Sequence, residues 1–207
     1  MIARRTTLAA FAALALAPAA ARAADLAPAD AARVQKATAY LQGLSTVTGT
    51  FTQTAPNGAT STGRIWLQRP GKARFQYDPP ARMTIVSDGR RVGLWDGRLN
   101  TFNTAPLSRT PLNLLLAKQV RLDRGVEIAR VDANAEGFAL TALDRAHPGD
   151  GRMVIYFADA PMALTGWNLT DGRGRSTRVR LGRLTPAAGL DPSLFVVADP
   201  RKGVANP

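Results

Sequence analysis

Apolar and polar residues alternate with a period of two through much of this chain, the pattern of strands with one wet face. Thr46–Thr54 alternates in this way, and Pro56-Asn57-Gly58 turns it back. Between Gly63 and Gly97 four short runs follow: Arg64–Gln68, Lys72–Tyr77, Met83–Ser87 and Arg91–Trp95. Arg69-Pro70-Gly71, Asp78-Pro79-Pro80, Asp88-Gly89 and Asp96-Gly97 punctuate them, each joining residues that preset or permit turn dihedrals. Leu99–Asn103 adds one more strand, so the first half predicts an antiparallel meander. In Lys72–Tyr77 the apolar row is Ala73, Phe75 and Tyr77. Ile65 and Leu67 form the corresponding row one strand earlier, and Arg69 continues it with a charge.

The period changes in two places. Pro28–Leu44 predicts a helix with Val34, Ala37, Thr38, Leu41 and Leu44 on one face. TPLNLLLAKQ then places Thr110 at an N-cap and Pro111 at the first helical position. Leu112, Leu114, Leu115 and Leu116 wrap most of that helix, and so short a piece must be held by packing. It suits either a buried core helix or an apolar lid over the sheet. Strands resume at Val126–Asp132, Phe138–Leu143, Arg152–Ala158, Leu164–Thr170 and Thr177–Leu184. The fold class expected is mainly β with α: a curved antiparallel sheet or incomplete, open barrel under short helices. Its apolar face could enclose a packed core or a cavity for apolar ligand.

Met1 to about Ala23 has the layout of a targeting segment. Arg4-Arg5 precedes the apolar Thr6–Ala17, and Ala21-Arg22-Ala23 is a small-x-small cleavage site. Both the general and the twin-arginine export routes fit. Residues 24–207 are expected to form one domain. Cysteine is lacking throughout, which excludes a disulfide framework, a thiol nucleophile and a lipidated N-terminal cysteine. The exported chain is therefore expected to be soluble and unanchored. Its formal charge of +12 falls by three when Arg4, Arg5 and Arg22 leave with the leader. A basic exported protein can meet anionic membrane surfaces or acidic partners, although arginine is scattered along nearly every strand. No nucleic-acid reading motif occurs.

The chemical inventory argues against an enzyme, a metal site or a cofactor. The single histidine, His147, sits in the turn AHPGDG. Asp88, Asp96, Asp150 and Asp171 precede glycine, whereas Asp78, Asp191 and Asp199 precede proline. Seven of the fifteen acidic residues thus read as turn formers, leaving no pair for acid–base work.

Taken in order, FTQ (Phe51–Gln53), GRIWLQRP (Gly63–Pro70), F-x-Y-x-x-P (Phe75–Pro80), IVSDG (Ile85–Gly89), LWD (Leu94–Asp96) and TPLNLLL (Thr110–Leu116) resemble the periplasmic outer-membrane lipoprotein carrier family, LolA. F-x-x-x-x-P-x-x-GV (Phe195–Val204) is similar to that family's ending. The resemblance implies an open barrel whose lid helices cover a hydrophobic cavity. It implies a monomer that takes acylated lipoproteins from an inner-membrane ABC-type release complex. Delivery would be to the outer membrane or its lipoprotein receptor. At about 0.8 kcal/mol per methylene, an acyl chain of about sixteen carbons costs roughly 12 kcal/mol to leave in water. Such a carrier must therefore enclose the chain.

The family's RP arginine matches Arg69, which this implies is a latch bonding lid carbonyls in the closed state; a solvated strand-end residue is the other reading. Strand parity and lid position nominate Ile65, Leu67, Phe75, Ile85, Leu94, Leu114 and Leu115 as acyl-chain cavity lining, with Trp66 and Trp95 on the convex side. Two departures stand out. The chain stops soon after Val204, without an extension some carriers have, and Ala73 stands where an aromatic residue is frequent. The competing reading is a carrier or sensor of another lipid, such as a hopanoid or glycolipid, in the same shell.

Overall fold

The computed structural model describes residues 26–122 and 125–202; the targeting segment and the Gly203-Val204 end of the last motif lie outside them. Helix α1 (Pro28–Gly43) leads into β1 (Thr46–Thr54), β2 (Thr60–Gln68), β3 (Lys72–Tyr77), β4 (Met83–Asp88), β5 (Arg91–Asp96) and β6 (Thr101–Pro106). A short helix α2 (Asn113–Leu116) precedes β7 (Val126–Ala133), β8 (Gly137–Asp144), β9 (Gly151–Asp159), β10 (Met162–Asp171), β11 (Ser176–Leu181) and β12 (Thr185–Pro186). All these strands belong to one sheet in the order β6-β5-β4-β3-β2-β1-β11-β10-β9-β8-β7, with β12 pairing β1 off that path. Every pairing is antiparallel. The sheet is not closed: β6 and β7 are its two edges.

That order has a consequence for the chain between the edges. It leaves β6 on one side and re-enters at β7 on the other, so the segment that begins at Leu107 crosses the opening. The leucine-rich stretch therefore crosses the concave face because the topology leaves it there.

The concave face is the core. Phe51 meets Phe75 and Tyr77 edge to face at 5.6 and 4.9 Å, and Phe75 meets Trp167 at 6.1 Å. Such pairs add about 0.5–1.5 kcal/mol each beyond area burial. Gly63 makes room for the first of these rings: a Cβ there would stand 2.7 Å from the Phe51 ring and 2.2 Å from the Gln76 carbonyl oxygen. On α1, Val34, Ala37 and Leu41 are buried, and Tyr40 packs edge-on against Phe157.

The strand expected at Arg64–Gln68 begins four residues earlier, at Thr60, where it pairs with the end of β1. Three further differences arise through local hydrogen bonding. The strand expected at Leu99–Asn103 begins at Thr101, because the Asp96 carboxylate accepts from the Arg98 and Leu99 amides and prolongs the turn. The last strand expected, Thr177–Leu184, stops at Leu181 and resumes as β12. Gly182 donates to the Thr50 carbonyl before the chain bulges away. Thr110 does not cap a helix. Its hydroxyl donates to the Leu107 carbonyl at 2.8 Å, closing the preceding 3-10 turn Leu107–Arg109, and regular α-helix is confined to Asn113–Leu116.

Candidate functional site

The lid segment presents two leucine faces. Leu115 and Leu116 are buried against the sheet, and Leu112 and Leu114 both pack partly against the core, Leu114 from the side that faces a second cleft. Beneath the lid, Leu41, Leu44, Ile65, Leu67, Phe75, Leu164 and Trp167 meet those leucines around a residual void of about 10 Å³. A void that size holds about one water molecule. Arg69 is the charged side chain on its wall. The lid leucines thus occupy the concave face themselves.

What holds the lid is one turn. A four-residue helix leaves its last carbonyls without helical partners. Arg69 Nη1 donates to the Leu115 carbonyl in a short contact, and Arg69 Nη2 donates to the Ala117 carbonyl at 2.8 Å. Two residues on, the Gly71 amide donates to the Leu116 carbonyl at 2.8 Å. Three consecutive lid carbonyls are therefore satisfied from the Arg69-Pro70-Gly71 turn. Half-burial among apolar side chains pulls the Arg69 pKa below its ordinary value by desolvation. These bonds meet part of that desolvation penalty.

The turn is itself supported from β4. Ser87, fully buried, donates its hydroxyl to the Gly71 carbonyl at 2.6 Å. Gly71 has φ +81°, and a Cβ on it would stand 2.6 Å from the Gly89 Cα. The RP turn and the SDG turn thus meet backbone to backbone. Behind the lid, Gln42 clamps the segment to α1: its amide nitrogen donates to the Lys118 carbonyl at 3.1 Å, and its amide oxygen accepts from the Val120 amide at 2.9 Å.

Of the residues nominated from the sequence, Ile65, Leu67, Phe75 and Leu115 line the void beside Arg69. Ile85 and Leu94 occupy the same cross-strand row, through Ile65↔Phe75, Phe75↔Ile85 and Ile85↔Leu94, but that row runs two strands past the void. Leu114 instead lines a separate open cleft of about 530 Å³ between the lid and the ends of β7–β10. Trp66 and Trp95 occupy the convex parity; Arg201 lies 5.9 Å from the centre of the Trp95 ring. Sequence reasoning did not nominate Gln42, Ser87, Leu164 or Trp167. Trp167 carried a usable signal, since it shares parity with Leu169 on a strand whose alternate residues are polar.

No group of three or more His, Cys, Asp or Glu residues able to hold a metal occurs among the described residues. The acidic side chains stabilise turns. Asp88, Asp96, Asp171, Asp191 and Asp199 each accept from a backbone amide two residues on. His147 is exposed in its turn, 3.8 Å from Asp144. No described helix is long and apolar enough to cross a membrane.

Comparison with known proteins gives this lid and void a family. The model of the outer membrane lipoprotein carrier protein LolA matches residues 42–198. An outer-membrane lipoprotein carrier protein of Chromobacterium violaceum is 30% identical over 185 residues, covering 86% of this chain and 88% of that protein. Its counterpart in Methylococcus capsulatus is 31% identical over 144 residues, 68% of each chain. A solved LolA superfamily protein from Nitrosomonas europaea covers 78% of this chain and 96% of its own, with a TM-score of 0.44 and 11% identity. The chain belongs to the LolA family of outer-membrane lipoprotein carrier proteins.

Proposed function

We propose that this chain is a periplasmic carrier. After losing residues 1–23 it takes acylated lipoproteins released from the inner membrane by an ABC-type complex and delivers them to the outer membrane. The observation that carries this reading is the leucine lid that fills an apolar concave face and is held there by Arg69. Acyl chains replace the lid leucines on the same surface, so cargo and lid compete for it.

Arg69 sets the balance of that competition. Its two bonds to lid carbonyls exist only when the lid is seated, and they favour the closed state over the loaded one. Hydrogen bonds to a charged group contribute about 1.5–3 kcal/mol each. A loaded carrier forgoes them, and delivery regains them as the lid closes behind the departing chain. No catalysis is required; the work is done by differential stability of two states.

Expression of the mature chain in the periplasm with its host's lipoproteins, followed by native mass spectrometry of the purified protein, tests this directly. Co-purified acylated protein is expected. Free hopanoid or glycolipid without protein would favour the lipid-carrier reading, and a chain that retains neither acylated protein nor lipid would contradict both.

A further inference from the structure

The convex face of the sheet carries a second functional feature, one that does not depend on what the cavity holds. Strands β1, β2, β3 and β11 contain no aspartate or glutamate. On their convex side Arg64, Arg178 and Arg180 are exposed, and none of their three guanidinium groups makes a hydrogen bond or ion pair with another described residue. Elsewhere Arg33, Arg130, Arg175 and Arg201 each pair with an aspartate, whereas Arg90, Arg98 and Arg145 are exposed without an ion pair among the described residues. What sets this face apart is four adjacent strands without a carboxylate. Arg74, on the same face, is engaged by Gln76 and the Leu194 carbonyl of the C-terminal segment.

Register gives the layout. Arg178 and Arg180 are two residues apart on β11, about 7 Å along the strand. Thr52 pairs with Arg180 on one side and Thr62 on the other, and Thr50 pairs with Arg64. Arg64 therefore stands two strands away, about 10 Å across the sheet. Thr50, Thr60 and Thr62 are exposed between and beside them. One carboxylate, Asp78, stands at the rim just past β3, where it accepts from Thr62 at 2.7 Å.

We infer that this face docks reversibly on an anionic phospholipid surface. An unpaired guanidinium presents a planar fork that matches phosphate oxygens. Protein interface energy concentrates in Trp, Tyr and Arg side chains packed into pockets. Here the one aromatic on β1, β2, β3 and β11 at convex parity is the half-buried Trp66, and its neighbours are hydroxyls, amides and cations. Of the two large apolar side chains exposed among the described residues, Leu99 lies in the turn between β5 and β6, and Val196 borders the face at a pocket beside Arg74. A plane of headgroups asks only for charge and hydrogen-bond donors, which arginine and threonine supply. Docking by this face leaves the lid, on the concave side, free of the lipid.

Each basic residue near an anionic membrane strengthens binding roughly fivefold. Co-sedimentation with phosphatidylcholine vesicles, with and without phosphatidylglycerol, tests the inference. Wild type should pellet only with the anionic vesicles and be released as salt rises. R64Q/R178Q/R180Q should bind on the order of a hundredfold more weakly. R90Q/R98Q/R145Q removes the same net charge from exposed positions off the face and should bind nearly as wild type. The triple lysine variant at 64, 178 and 180 should retain binding, which separates loss of charge from loss of fold. Wild type that ignores phosphatidylglycerol would overturn the inference, as would equal losses in the two glutamine triples. Capture of soluble polyglutamate without vesicle binding would overturn it in favour of an acidic protein.

Discussion

Arg69 sits where a cation is expensive. Two lid carbonyls offset its desolvation, and they are carbonyls a four-residue helix could not satisfy alone. Lysine at this position keeps the charge but not the fork, so Arg69→Lys should seat the lid less firmly than wild type and more firmly than Arg69→Leu. Hydrogen exchange of the Leu116 and Ala117 amides would rank the three. Tyr77 gives a second prediction at this scale. Burial, partly countered by its bond to Gln53 at 2.7 Å, pushes its phenol up to about 12. The folded state therefore keeps the proton through a range where the unfolded chain, with a pKa of about 10, has lost it. Its contribution is fully present below pH 10 and disappears as pH rises toward 12, a loss of roughly 2–3 kcal/mol. The difference in melting temperature between wild type and Tyr77→Phe should change over that window and be constant below it.

At the scale of elements, the lid depends on the hairpins that hold it. Ser87 fixes Gly71, and Gly71 with Arg69 fixes α2. Ser87→Ala leaves the Gly71 carbonyl short of its partner in a buried place, at a cost of about 1–3 kcal/mol. It should lower the melting temperature and speed exchange of the Leu116 amide's neighbours without touching cargo-lining residues. Gln42→Leu, by contrast, removes only the clamp between α1 and the lid. The Val120 amide should exchange faster while the β1–β5 amides keep their protection. The strands were legible in the sequence because alternation and turn chemistry agree along β1–β5; Lys72–Tyr77 was bounded to the residue. Three things were not. Thr110 followed by proline has the form of a cap, yet the Leu107 carbonyl, placed by β6 and its 3-10 turn, claims the hydroxyl. Parity identified the row through Ile85 and Leu94 but could not say where along it the lid would sit. Gln42 gave no pattern at all, since its partners are backbone groups 76 and 78 residues away.

For the whole molecule, topology decides more than composition. Because β6 and β7 are opposite edges of one unclosed sheet, the chain joining them has to bridge the opening. Leu112, Leu115 and Leu116 on that bridge fill the concave face, and Arg69 at the rim bonds the bridge through its carbonyls. Concave and convex faces then differ in kind: one apolar and covered by the bridge, the other basic and open over β1, β2 and β11, with the C-terminal segment packed beside Arg74. The most direct test of this account is a transfer assay comparing wild type with Arg69→Leu, using carrier loaded with one acylated lipoprotein and outer-membrane vesicles as acceptor. The account predicts that the variant loads at least as well as wild type but releases its cargo at least tenfold more slowly, because closing the lid no longer gains the two bonds. Loading and release indistinguishable from wild type would contradict it.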